Sequence, residues 1–202
     1  MAETAPRVYV VDDDATLREA LVFLLASRGV RAEGFASAEE FLSRFDGQFR
    51  GCVLTDMRIM SGLELFDRLA VAGSQLPCIV LTGHGDVPMA VEALKKGVYD
   101  FVEKPFDGNA LVDKLIAALA VEEERFERER SRQSGLDRLA TLSQRERDVM
   151  RLLLAGKLNK VIADDLGIAM RTVEVHRARI LEKMGVKSAV ELATMLASLE
   201  RS

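Results

Sequence analysis

The chain has 202 residues, 49% of them apolar and 30% charged, with two cysteines, no tryptophan and a formal net charge of -4. That length holds one large domain or two small ones, and the composition is that of a protein with a packed core rather than of a disordered or fibrous chain. No apolar run approaches the roughly 20 residues of a membrane span, and the opening "MAETAPRVYVVDDD" lacks the basic-then-apolar order of a secretory signal, so a cytoplasmic location away from membranes is expected. Cys52 and Cys78 lie in apolar runs, which suits reduced, buried thiols rather than a disulfide framework or a zinc site. The charge is uneven. Residues 1–120 carry 12 Lys and Arg against 18 Asp and Glu, whereas residues 139–202 carry 11 against 8. An acidic front and a basic back point to two modules with different partners, the basic one being the candidate for nucleic acid.

Residues 1–120 alternate short apolar runs with amphipathic stretches. "RVYVV" reads as a strand ended by "DDD". "ATLREALVFLLASRG" follows, with Leu17, Leu21, Leu24 and Leu25 at helical spacing and Gly29 as its stop. "VRAEGF" is a weak strand. "SAEEFLSRF" opens with Ser37 and carries Glu40 three residues on, the capping-box signature of a helix start. "GCVLTD", "PCIVLTG" and "VYDFVEKP" predict three further strands, and "GLELFDRLAVAG", "DVPMAVEALKKG" and "DGNALVDKLIAALAVEEE" predict three further helices. Continuous apolar strands such as "VYVV" and "CIVL" suit a parallel sheet buried on both faces, so a five-stranded α/β, doubly wound domain is expected.

Residues 121–138, including "EEERFERERSRQSG", have almost no apolar side chains and read as a charged helical linker. Glu124 with Arg128, and Arg125 with Glu129, stand at i,i+4, and Gly135 is the expected end of that helix. Phe126 is nearly the only seam residue, which argues against a coiled coil. Residues 139–202 read as all-helical, with four helices. Ser143 and Glu146 form a second capping box. "NKVIADDLGIAMRTVEVHRARILEKM" has helix-turn-helix logic: Ala163 allows close helix approach, Gly167 serves the turn, and Val173, Ile180 and Met184 face the core. The second helix then presents a polar face able to enter a major groove. Lys160, Arg171, Arg177, Lys183 and Lys187 are candidates for phosphate contacts, which fix register without reading sequence.

In an open parallel sheet the functional groups gather at the carboxyl ends of the strands. There the sequence puts Asp12, Asp13 and Asp14 after strand 1, Asp56 at the end of strand 3, Thr82 at the end of strand 4, and Lys104 and Pro105 after strand 5. Taken singly, each aspartate reads as a helix cap or turn residue, Thr82 as a strand-end hydroxyl and Lys104 as a surface charge. Taken together, clustered carboxylates call for a cation, and a small oxygen-only site suits Mg²⁺. With a lysine beside it, such a site can stabilise a phosphoryl group arriving on an aspartate.

"VVDDD", "LTD" with "SGLEL", "IVLTGHGDVPMAVEALKKG" and "DFVEKPF" resemble the receiver domain of two-component response regulators of the FixJ type, across about 115 residues. The resemblance implies a CheY-like, flavodoxin-like fold in which Asp12 and Asp13 hold Mg²⁺ and Asp56 accepts a phosphoryl group from a sensor histidine kinase. It further implies that the Arg58 carbonyl completes the metal's protein ligands, that Thr82 closes onto the phosphate, and that Phe101 swings inward. By the same resemblance Lys104 pairs with the phosphate before a cis bond to Pro105, and Val91, Lys95 and Tyr99 belong to the surface of a homodimer formed on phosphorylation. Arg58 and His84 stand where such receivers tune phosphate loss.

"LSQRERDVMRLLLAGKLNKVIADDLGI" and "RTVEVHRARILEKMGVKS" resemble a LuxR/NarL-type output domain over about 60 residues. This implies binding to double-stranded DNA, with Glu174, Val175 and Ala178 at base edges, Thr172, His176 and Arg179 nearby, and RNA polymerase as a further partner. His176 reads equally as a packed residue. Ala169 stands where relatives often carry a capping Ser or Thr.

One stretch departs from the receiver pattern. Such receivers usually have eight steps from the acceptor aspartate to the glycine of "SG", whereas Asp56 to Gly62 is six. Two extended residues span up to roughly 7 Å, so either the first turn of helix 3 unwinds or the loop is drawn tight. Phosphorylation-dependent transcription regulation is the expected function, and a constitutive or locked regulator with an impaired receiver is the alternative. A phosphatase working through an aspartyl phosphate would show a second aspartate where Arg58 stands, so an enzyme is not expected.

Overall fold

A computed structural model of the chain describes residues 5–57, 61–83 and 87–200, the side chains of 61–63, 87–90, 92 and 200 excepted. Two compact units, Met1–Phe126 and Glu127–Ser202, make up the chain.

Five strands form the first unit's sheet: β1 (Arg7–Val11), β2 (Ala32–Phe35), β3 (Gly51–Asp56), β4 (Cys78–Thr82) and β5 (Asp100–Glu103). They are all parallel, in the order β2-β1-β3-β4-β5. The helices α1 (Ala15–Ser27), α2 (Ala38–Arg44), α3 (Ser61–Val71), α4 (Val87–Lys96) and α5 (Gly108–Ala140) follow the strands in turn. Alternate strand residues feed two separate cores. Tyr9, Val11, Val53 and Val80 pack with Phe41, Leu65, Leu69 and Ala93 from α2, α3 and α4. Val8, Val10, Cys52, Leu54, Ile79 and Leu81 pack with Leu21, Leu25, Leu111 and Leu115 from α1 and α5. Both strand faces are thus out of water, and each fully buried aliphatic side chain contributes about 1.5–3 kcal/mol relative to exposure. This double burial is why these strands are unbroken apolar runs. Cys52 and Cys78 are buried free thiols, and burial pushes the Cys78 thiol up to about 12.

Helix caps follow the local chemistry. The Asp14 side chain accepts from the Thr16 and Leu17 amides and starts α1. Ser37 accepts from the Glu40 amide at 3.1 Å, but the Glu40 carboxylate reaches back to the Ala36 amide rather than closing the box on Ser37. β3 ends at Asp56 and α3 begins at Ser61, so the short connection does not cost α3 its Ser61-Gly62 start. Residues 58–60 of that connection lie outside the described residues.

Helix α5 runs 33 residues without a break, and the boundary between the units falls within it. Gly135 does not end it. Instead Gly135 lies where an added Cβ would stand 2.9 Å from Leu199, so the missing side chain admits a close neighbour rather than a turn. The expected Arg125–Glu129 pair is also replaced. Arg125 donates to the Gln75 carbonyl and Glu129 pairs with Arg132 at 2.8 Å.

The second unit holds the end of α5 with α6 (Gln144–Leu154), α7 (Asn159–Leu166), α8 (Met170–Met184) and α9 (Ala189–Glu200). Val149, Ile162, Val173, Ile180, Met184 and Leu192 form its core, each 0% exposed. Ser143 and Glu146 form a complete capping box at α6.

Candidate functional site

The sheet register brings the acidic residues together. Val11 stands opposite Thr55, and Asp56 stands opposite Leu81, so Asp12, one residue past β1, is level with Asp56. Thr82 stands opposite Glu103, which places Lys104 at the same carboxyl edge, where its amide donates to the Thr82 carbonyl at 2.8 Å. One carboxylate oxygen from each of Asp12, Asp13 and Asp56 lies within 4.8 Å of the others. Asp12 and Asp56 are buried and Asp13 is exposed, so the cluster has a wet side and a dry side.

Lys104 Nζ lies 2.6 Å from Asp56 Oδ2 and 3.6 Å from Asp12 Oδ2. This ammonium meets two of the three carboxylates, those of Asp56 and Asp12. Burial pushes the Asp12 carboxyl above its usual range, the Asp14 amide and Lys104 draw it back, and Asp56 and Asp13 raise it again. Asp12 Oδ1 accepts from the Asp14 amide at 2.9 Å, while Asp12 Oδ2 is buried with no hydrogen-bond donor. A buried acceptor without a donor carries a cost that a cation removes. An oxygen-only donor set at the water boundary fits a hard ion such as Mg²⁺ better than a soft transition metal.

Thr82 is buried at the end of β4. Phe101 on β5 is half-buried, and Pro105 follows Lys104 through a cis peptide bond. Val91, Lys95 and Tyr99, the candidates for a dimer surface, are all exposed. Arg58, the candidate carbonyl ligand, and His84 lie outside the described residues.

In the second unit α7 ends at Gly167, whose φ of 63° is the left-handed turn that a glycine adopts without strain. The Ile168 amide then donates to the Ala163 carbonyl at 3.0 Å, and α8 starts at Ala169 with no side-chain cap. Val173, Ile180 and Met184 face the core, leaving Arg171, Thr172, Glu174, Val175, Ala178 and Arg179 exposed on α8 and Lys160 exposed on α7. His176 is half-buried, with its Nδ1 unpartnered inside. Two of the five cations expected at phosphates are committed within the unit. Arg177 donates to Asn159 Oδ1. Lys183 Nζ lies 2.7 Å from Glu146 and 3.1 Å from the Thr141 carbonyl, because the capping box buries the Glu146 carboxylate and burial demands a counter-charge.

Three charged contacts escaped the sequence reading. Arg18 donates to the Asp12 carbonyl at 2.6 Å. Arg50 is buried against Glu122 and Glu123 at 2.7 and 2.8 Å, with its guanidinium 3.3 Å over the Phe126 ring. Glu146 was visible as a cap, but its lysine partner, 37 positions away, was not. The Arg50–Glu122 and Lys183–Glu146 pairings span 72 and 37 positions, and the Arg18 contact goes to a backbone carbonyl that no side-chain pattern marks. The signal available for Arg50 was a charge immediately before an otherwise apolar strand.

A family model for response regulator receiver domains matches residues 8–116, and one for bacterial regulatory proteins of the luxR family matches residues 140–196. The chain is 47% identical to the transcriptional regulatory protein FixJ of Azorhizobium caulinodans over 96% of this chain and 93% of that protein. It is also 47% identical to the C4-dicarboxylate transport transcriptional regulatory protein DctR of Rhodobacter capsulatus, over 93% of this chain and 98% of that one. Among solved structures, the response regulator StyR superposes with a TM-score of 0.88 at 39% identity, covering 95% of this chain and 98% of that one. Full-length FixJ from B. japonicum gives 0.61 at 41% identity, covering 97% and 98%. With identity spread along both modules and an acidic strand edge in the first, the chain belongs to the FixJ-like response regulators of two-component systems, which couple a receiver domain to a LuxR-type DNA-binding domain.

Proposed function

We propose that Asp56 is the phosphoryl acceptor of this phosphorylation-dependent transcription regulator, and that a sensor histidine kinase is the donor. An Asp56 carboxylate oxygen attacks the phosphorus of a phosphohistidine. A P–O bond forms as the P–N bond breaks, and the imidazole leaves with the bonding pair. The observation carrying this reading is the juxtaposition of Asp56 with Asp12, Asp13 and the Lys104 ammonium at one sheet edge. Mg²⁺, when held by Asp12, Asp13 and Asp56, with the Arg58 carbonyl as a further ligand, supplies charge neutralisation for the phosphoryl oxygens. Lys104 offers a second cation to those oxygens, and its 2.6 Å contact with Asp56 Oδ2 holds the carboxylate in place. Thr82 and Phe101 are the switch residues that follow the phosphoryl group.

The domain division proposed is a receiver at 1–120, a helical connector at 121–138 and a DNA-binding domain at 139–202. In the last, Glu174, Val175 and Ala178 address base edges, Thr172, His176 and Arg179 lie beside them, and Lys160, Arg171 and Lys187 address phosphates. The surface of Val91, Lys95 and Tyr99 serves a homodimer formed on phosphorylation, which brings two recognition helices to two half-sites in reach of RNA polymerase. No helix among the described residues is long and apolar enough to cross a membrane. The constitutive, locked alternative finds no support in the family, whose members are named as transcriptional regulators rather than classical enzymes.

Sedimentation of the full chain, with and without phosphoramidate and Mg²⁺, tests the switch. A rise from monomer to dimer mass that Asp56→Asn abolishes is expected. A mass independent of phosphoryl donor in the labelled wild type refutes the dimer switch.

A further inference from the structure

We infer that Arg18 is a positioning residue for the cation site, holding the Asp12 peptide so that Asp12 Oδ2 faces the ion. The inference rests on the reading of Asp12, Asp13 and Asp56 as a Mg²⁺ site. Residue 12 is fixed at three points. Its amide donates to the Phe35 carbonyl of β2 at 3.2 Å. Its Oδ1 accepts from the Asp14 amide at 2.9 Å, and Asp14 in turn caps α1. Its carbonyl accepts from Arg18 Nη1 at 2.6 Å. With Oδ1 engaged, Oδ2 is the buried oxygen left without a donor, and it lies on the Lys104 side of the cluster.

Arg18 reaches the carbonyl along a path that Gly34 leaves open. A Cβ at Gly34 would stand 3.0 Å from Arg18 Cγ and 3.1 Å from Cδ, closer than such atoms comfortably approach. Gly34 on β2 and Arg18 on α1 therefore act as one device, the glycine giving the stem its channel and the arginine giving the carbonyl a charged donor. A charge-assisted bond is about twice as strong as a neutral one. Such outer-shell support typically changes metal affinity about 10–100-fold.

Titration calorimetry of the full chain with Mg²⁺ tests this across wild type, Arg18→Ala, Arg18→Lys, Gly34→Ala and the double variant Arg18→Ala with Gly34→Ala. Arg18→Ala is expected to weaken Mg²⁺ binding about 10-fold, while Arg18→Lys, which keeps a donor, recovers most of the loss. Gly34→Ala is expected to weaken it less, about 3-fold, and to add nothing in the Arg18→Ala background, because both act through one contact. The phosphorylation rate of Arg18→Ala with phosphoramidate should return to the wild-type value once Mg²⁺ saturates. Wild-type Mg²⁺ affinity in a folded Arg18→Ala chain overturns the inference, as does a slower saturated rate with unchanged affinity. Should Arg18→Ala fail to fold, unchanged affinity in Gly34→Ala overturns it alone. A wild-type chain that takes up no Mg²⁺ overturns the metal reading itself, a result distinct from all of these.

Discussion

Asp12 shows at the scale of one side chain how the site stores free energy against folding. Its carboxyl is held above the usual range chiefly by burial. A carboxylate raised in the folded state contributes stability that is present at low pH and lost as pH rises through its folded value. Replacing it by Asn in metal-free buffer at pH 7 is therefore expected to stabilise the chain, raising Tm by on the order of 3 °C, the shift that about 1 kcal/mol gives at this size. Thermal unfolding by circular dichroism measures it, and a lower Tm would contradict the charge argument. Glu146 has the opposite sign. The Lys183 hydrogen bond, with the Ser143 amide, brings its carboxyl down to about 2. Its contribution is intact above the ordinary carboxylate value near 4.5 and is lost as pH falls from there toward 2. Glu146→Gln should cost about 2 kcal/mol at pH 7, the worth of a hydrogen bond to a charged group, and should flatten the acid limb of stability in that window. The cap half of Glu146 was legible from Ser143-x-x-Glu146, because a capping box is local. The Lys183 half was not, since that pairing exists only once α8 lies beside the start of α6.

Elements were readable where a single period or a local cap specifies them. The strands announced themselves as unbroken apolar runs because both sheet faces are covered, and the acidic edge followed from the rule that loops after parallel strands share one side. What escaped were features set by a distant neighbour. Gly135 carries the sequence mark of a helix end, yet α5 continues because Leu199 and Met195 come close to it. Arg50 lies in a loop by sequence but is buried against α5. Removing its charge strands Glu122, which is 7% exposed, and breaking a buried pair by one partner costs about 3–5 kcal/mol. Arg50→Ala is expected to lower stability by that amount in chemical denaturation, with Arg50→Lys recovering only part, since a lysine cannot serve both carboxylates and the Phe126 face at once. The uncapped start of α8 offers the reverse experiment. Ala169 already has the extended backbone of an N-cap, so Ala169→Ser should gain about 1 kcal/mol.

For the whole molecule, function depends on which charges are free to meet DNA. Arg177 and Lys183 are tied to Asn159 and Glu146, whereas the side chains of Lys160, Arg171, Arg179 and Lys187 are exposed with no side-chain partner among the described residues. Each phosphate contact adds about 0.9 to the steepness of log affinity against log salt. Arg171→Ala should therefore reduce that slope by about 0.9 per bound copy, while Lys183→Ala should lower stability and leave the slope unchanged, both read by fluorescence anisotropy on duplex DNA across a salt series. The role proposed for the first unit turns on Asp56. The measurement that addresses it most directly is the intact mass of the full chain after exposure to phosphoramidate and Mg²⁺, run beside Asp56→Asn. The expected result is a single added phosphoryl group on the wild type and none on the variant. Labelling that persists in Asp56→Asn, or a wild type that stays unlabelled with Mg²⁺ present, would contradict it.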